Sequence, residues 1–171
     1  MSKPETVFVR SFVDAVKRLP GSNYVHKHHG GQYSAGLPDL FVCSGEGLFL
    51  EVKAIPELPF YDESIGILWK KSFTALQVDT LVRMWKAGQC GGGLVYCAPT
   101  KSVCLVAAPT LAVITNSNLM TTAGEIRDGS WGITAGPWVR VSPWNGKRTP
   151  DEVLLELLQW LPKHKEQLRG R

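Results

Sequence analysis

The sequence predicts an α/β domain. Segments of helical period stand near the start, in the middle and at the end of the chain, and the short apolar runs between them alternate with period two. With 171 residues, 44% hydrophobic and 20% charged, the chain suits one domain with a substantial core.

The first helix is marked by the capping-box spacing of Ser2 and Glu5, by Pro4 in the first turn, and by Phe8, Phe12, Ala15 and Leu19 at helical period. Leu19-Pro20-Gly21 ends it, and Asn23 to His29 reads as a strand leading into Gly30-Gly31. Leu40 to Cys43, a turn over Ser44 to Gly47, and Leu48 to Ala54 make a β-hairpin. Residues 55–73, with Pro56, Pro59 and Gly66 and no clear period, read as a loop. A second helix runs from Thr74 to about Ala87: Thr74 and Gln77 again have capping-box spacing, and Gly88 stops it. Gly93 to Ala98 and Ser102 to Ala107 follow as strands around Pro99-Thr100-Lys101. Residues 108–148 carry no clear pattern beyond a strand at Trp138 to Val141. The last helix opens with Thr149-Pro150-Asp151-Glu152 and shows the stripe Val153, Leu154, Leu157, Leu158 and Leu161. Residues 1–107 therefore form a core, and 108–171 a C-terminal α/β extension packed on the same domain and ending in a helix.

No apolar run is long enough to cross a bilayer, and MSKPETVFVR lacks the layout of a secretory signal, so a cytoplasmic protein is expected. Cys43, Cys90, Cys97 and Cys104 make no C-x-x-C pair and read as small core residues of a reduced compartment. The net charge of +4 is compatible with a polyanionic partner without demonstrating one.

The chemistry lies in Gly36-Leu37-Pro38-Asp39 and Leu48-Phe49-Leu50-Glu51-Val52-Lys53. Leu48, Leu50 and Val52 alternate as core, so Phe49, Glu51 and Lys53 share the opposite face. A hairpin centred near Gly45 sets Asp39 opposite Glu51. Two carboxylates so placed repel, and a divalent cation between them removes the penalty; their hard oxygens suit Mg²⁺ or Mn²⁺. Lys53, on the same face, is placed to orient an attacking water or to neutralise charge on a phosphate. The plainer alternative is a surface Glu–Lys pair beside a turn-proximal Asp.

These residues resemble the PD-(D/E)XK nucleases, and among them the VRR-NUC and phage-type Holliday-junction resolvase groups. Pro38-Asp39 and Glu51-Val52-Lys53 match the two halves of the signature, and the approach from Lys27 to Gly36 is similar to the VRR-NUC lead-in. The likeness runs from about residue 5 to about residue 90. It implies a restriction-endonuclease-like core, a central mixed sheet flanked by helices. It also implies metal ligation by Asp39, Glu51 and the Val52 carbonyl, and hydrolysis leaving a 5′-phosphate.

Glu5, in line with Val9, Phe12 and Val16, faces inward and is either a further metal ligand or the partner of Ser2 in a capping box. Gln77 is likewise a residue near the active site, a helix cap, or both. His26 and His28 share a strand face and read as solvated or phosphate-contacting rather than zinc-binding. Lys27, His29 and Tyr33 are candidate DNA contacts. So are Lys70 and Lys71 beside Phe60, Tyr61 and Trp69, although such aromatics also serve to cover a core. Trp131, Trp138 and Trp144 read mainly as core or dimer packing, and the basic tail as a weak attraction for DNA.

The reading that results is a Mg²⁺- or Mn²⁺-dependent endonuclease on branched or structured DNA, homodimeric and encoded by a phage or a mobile element. The alternatives are a nuclease on simple duplex or single-stranded DNA, and a non-catalytic DNA- or protein-binding module on the same fold.

Overall fold

Helix α1 (Lys3–Arg18) forms where the apolar spacing predicts it, and Phe8, Val9, Phe12, Ala15 and Val16 are all buried. The structure is a computed structural model and describes residues 3–21, 23–28, 36–56, 71–115, 138–141 and 144–169. Six strands lie side by side in chain order: β1 (Tyr24–Lys27), β2 (Leu40–Ser44), β3 (Glu46–Ile55), β4 (Cys90–Cys97), β5 (Ser102–Ala107) and β6 (Trp138–Val141). Strands β3 and β4 are parallel and every other neighbouring pair is antiparallel. A mixed sheet flanked by helices bears out the α/β expectation.

The pleat sorts the side chains. Leu40, Val42, Leu48, Leu50 and Val52 are buried on one face, which α1 covers, with Phe8 stacked on Tyr96 at 4.7 Å. The C-terminal helix α4 (Asp151–Arg169) packs on that face too: Leu154, Leu157, Leu158 and Leu161 join the core, and Lys165 reaches Glu46 at 3.8 Å. Arg18 and Asp151 bridge the two helices at 2.9 Å. Trp144 is buried against Phe8 and Phe12, with ring centroids at 5.7 and 5.9 Å. Helices α2 (Ala75–Lys86) and α3 (Ala108–Thr115) cover the other face, where Leu81 and Leu111 approach Gly91 and Gly93 of β4. Complete burial of rings such as Phe12 makes this core costly to disturb; truncation to Ala costs about 3–5 kcal/mol at such a site.

Several boundaries depart from expectation. Only Gly45 separates β2 from β3, where the sequence predicts a longer turn; its φ of +94° is open to glycine without strain. Strand β4 begins at Cys90 and runs through three glycines, because a Cβ at Gly92 would stand 2.1 Å from the Val106 carbonyl oxygen. Helix α3 occupies residues without a legible pattern: it is short and apolar all round, so it has no periodic signature. Helix α4 continues through Pro162, past its apolar stripe. Of the stretch 55–73, Ile55 closes β3 and residues 57–70 lie outside the described residues. All four cysteines are free thiols, three of them buried. Among the described residues no helix is long and apolar enough to cross a membrane.

Candidate active site

The β2–β3 register is the predicted one, with Leu40 opposite Leu50 and Phe41 opposite Phe49. Continued by one residue, it sets Asp39 opposite Glu51. The approach to Asp39 is fixed by its neighbours. Gly36 has a φ of +85°, and a Cβ there would lie 2.9 Å from Leu76 and 3.2 Å from the Thr80 hydroxyl, so only glycine lets this turn press against α2. Pro38 is buried, the His28 N–H donates to the Asp39 carbonyl at 2.9 Å, and the Val52 N–H donates to Asp39 Oδ2 at 2.9 Å.

Glu51 is 1% exposed although it lies off the Leu48, Leu50, Val52 face, because α2 covers it. Lys53 Nζ donates to Glu51 Oε1 at 2.6 Å, and Gln77 Nε2 donates to the same oxygen. Burial, above all, and then the neighbouring Asp39 charge push the Glu51 carboxyl up to about 7, against the opposing pull of Lys53. A carboxyl held at the edge of ionisation beside a second acid is electrostatically costly, and a cation between them would relieve it.

Gln77 caps α2 as expected and also reaches Glu51. Its Oε1 accepts from the Thr74 N–H at 2.9 Å, its own N–H donates to the Thr74 hydroxyl at 3.3 Å, and its amide nitrogen is left to hold Glu51. Lys53 Nζ lies 5.9 Å from the centre of the Phe73 ring, and Phe73 seats beside Gly93, where a Cβ would come within 3.0 Å of it. Phe73 and Gly93 are the residues that sequence reasoning passed over. Phe73 and Val78 occupy the positions of a hydrophobic staple around the Thr74 cap and are both buried, a signal that was there to be read.

The other candidates are less concentrated. Glu5 is buried on α1, as its stripe position predicts. Among the described residues no three His, Cys, Asp or Glu side chains are grouped to hold a metal, so Glu5, Asp39 and Glu51 are not assembled into one cluster. Ser2, the alternative partner of Glu5, lies outside the described residues, as do His29, Tyr33, Lys70, Phe60, Tyr61, Trp69 and Trp131. Lys71 is exposed at the edge of the described segment. Lys27 pairs with Leu40, so the pleat assigns it to the α1 face, opposite the one carrying Glu51. His26 pairs with Phe41 on the Glu51 face, and His28 packs against it edge-on at 4.9 Å, as alternation predicts.

No protein-family profile matches the chain, and no curated protein matches it. Among solved structures, the chain is similar to Archaeoglobus fulgidus Hjc, a Holliday junction resolvase from an archaeal hyperthermophile. That likeness has a TM-score of 0.40 and 17% identity over 63% of this chain and 75% of the archaeal one.

Proposed function

We propose that this protein is a divalent-metal-dependent endodeoxyribonuclease that hydrolyses phosphodiester bonds in branched or structured DNA. The observation that carries the reading is Glu51, buried opposite Asp39 with its carboxyl raised to about 7 and held by Lys53 and Gln77. Two carboxylates supply the hard oxygen donors that Mg²⁺ or Mn²⁺ prefers, and their mutual repulsion fits a cation. Asp39 and Glu51 would hold it, with the Val52 carbonyl as a further candidate ligand. Such an ion, when bound, supplies Lewis acidity and lowers the pKa of water.

The chain's own groups do the rest. The Val52 N–H fixes one Asp39 oxygen, which orients the other. Gln77 fixes Glu51 from the helix side. The Lys53 ammonium, 2.6 Å from Glu51, sits where it neutralises charge growing on a phosphate and orients the water that attacks it. Water attack on phosphorus with departure of the 3′-oxygen leaves a 5′-phosphate, the product the resemblance implies.

The choice of branched DNA rests on the likeness of Pro38-Asp39 and Glu51-Val52-Lys53 to the resolvase signature. Cutting two opposed strands of a junction requires two copies of the site, hence a homodimer.

The test is to incubate the purified protein with Mg²⁺ and a panel of single-stranded, duplex, flap and four-way DNA substrates. Cleavage is expected with Mg²⁺ or Mn²⁺, weak with Ca²⁺, lost in EDTA, and favoured on the four-way substrate. Robust cutting in EDTA removes the mechanism. Indifference to DNA shape removes the branched substrate and leaves the nuclease.

A further inference from the structure

Across the sheet from Glu51 runs a row of rings. His26 pairs with Phe41 and Phe41 with Phe49, so all three stand on the face that carries Asp39, Glu51 and Lys53, one pleat along from the acidic pair. Tyr24 and His26 hold their rings parallel, 4° apart in plane and 6.4 Å between centroids. Tyr24 also meets Phe41 at 6.2 Å, and Phe41 meets Phe49 at 4.9 Å. Gly47 makes room for this arrangement, since a Cβ there would stand 2.7 Å from the Phe41 ring. The row reaches the outer strand β1, where Tyr24 is 55% exposed and His26 is exposed as well.

Packing does not account for this placement. Tyr24 removes less than half of itself from water, on an edge strand where a polar or charged residue is the ordinary choice. Tyr24, His26, Phe41, Cys43, Gly47 and Phe49 share this part of the face, and none is acidic. Among the described residues, a polyanionic strand therefore meets no carboxylate on this part of the face until it reaches Asp39 and Glu51. Flat rings at an exposed sheet edge, with no acidic side chain among the described residues beside them, suit the faces of unpaired bases, which stack on aromatics whatever their sequence.

We propose that Tyr24, His26 and Phe41 form a stacking platform for unpaired bases of a DNA strand, next to the phosphate that lies at Asp39 and Glu51. The proposal deepens the nuclease reading and rests on it for the position of that phosphate. The platform selects substrates whose bases are already exposed, as at flaps, junction centres and splayed ends, because a closed duplex offers it no free base faces.

The experiment compares Tyr24→Ala and His26→Ala with the wild type, following fluorescence anisotropy of a labelled single strand and of the blunt duplex of the same sequence. Ca²⁺ replaces Mg²⁺ so that binding is read without efficient cutting. Each loss of a ring is expected to loosen the single strand about fivefold or more, as base–aromatic stacking predicts, while duplex affinity stays put. Tyr24→Trp restores single-strand binding, and circular dichroism checks that each variant is folded. Equal losses on both substrates, no loss on either, or failure of Tyr24→Trp to restore binding overturn the platform. The two readings fail separately. Cleavage with an indifferent Tyr24 and His26 removes the platform alone, and ring-dependent single-strand binding without any cleavage in Mg²⁺ removes the nuclease alone.

Discussion

Gln77 joins the N-terminus of α2 to the buried carboxylate of Glu51: one end of its amide accepts from Thr74, and the other donates to Glu51 Oε1. The residue that starts the helix thus also orients the acid, and the two contributions separate by mutation. Gln77→Ala and Thr74→Ala should each lose about 1 kcal/mol of stability through the cap. Only Gln77→Ala should also slow cleavage, by about tenfold or more, the scale of a lost hydrogen bond to a charged group. Chemical denaturation and initial rates on one substrate check this, and equal rates in the two variants would confine Gln77 to capping.

Lys53 and the two acids should behave differently. Lys53→Ala is expected to lose cleavage by a factor on the order of a hundred or more, as removal of a transition-state stabilising group does, while metal and DNA still bind. Asp39→Ala and Glu51→Ala should lose cleavage and weaken metal binding together, without greatly destabilising the metal-free protein, since one of two repelling charges is gone. Calorimetric titration with Mn²⁺ alongside the rates distinguishes the classes. Wild-type cleavage in any of the three would put the chemistry elsewhere.

The raised Glu51 carboxyl has a thermodynamic signature. Its folded value of about 7 lies above the ordinary 4.5, so between those values the native protein binds the extra proton and loses stability as pH rises. Above about pH 7 the full penalty applies, roughly 3 kcal/mol for a shift of this size. Glu51→Gln cannot ionise. Its stability relative to the wild type should therefore climb across that interval in metal-free buffer, and the climb should shrink when Mg²⁺ is present. Parallel pH profiles for the two proteins would contradict the assignment.

Gly93→Val tests the seat of Phe73. Branched carbons would enter a space where even a Cβ meets the Phe73 ring at 3.0 Å and Leu111 at 3.4 Å. Overpacking of this kind costs about 1–3 kcal/mol. A lowered Tm is expected, together with slower cleavage as Phe73 shifts beside Lys53, and an unchanged Tm would show that the pocket yields.

The heart of the site was legible because its geometry is local. A hairpin around Gly45 has one register that buries Leu48, Leu50 and Val52, and that register sets Asp39 against Glu51. The capping box at Thr74 was equally local, and the structure bears it out. What the sequence concealed depends on distant partners. The three glycines of β4 look like a break until Val106 and Phe73 are beside them. Burial of Glu51 was hidden as well, since α2 arrives over it from 26 positions away. Lys27 read as a substrate contact from its neighbours, whereas the pleat turns it to the α1 face.

The parallel pairing of β3 with β4 orders the assembly of the chain in time. The hairpin closes between near neighbours, whereas β4 must return alongside β3 after a crossover that contains α2, so the acidic pair is set before Gln77 is in place. A growing chain thus carries two opposed carboxylates before the amide that steadies one of them has docked. Docking of α2 is then the step that both buries Glu51 and seats Gln77 on it, and a protein whose crossover has come loose would keep Asp39 opposite Glu51 while returning that carboxyl to water.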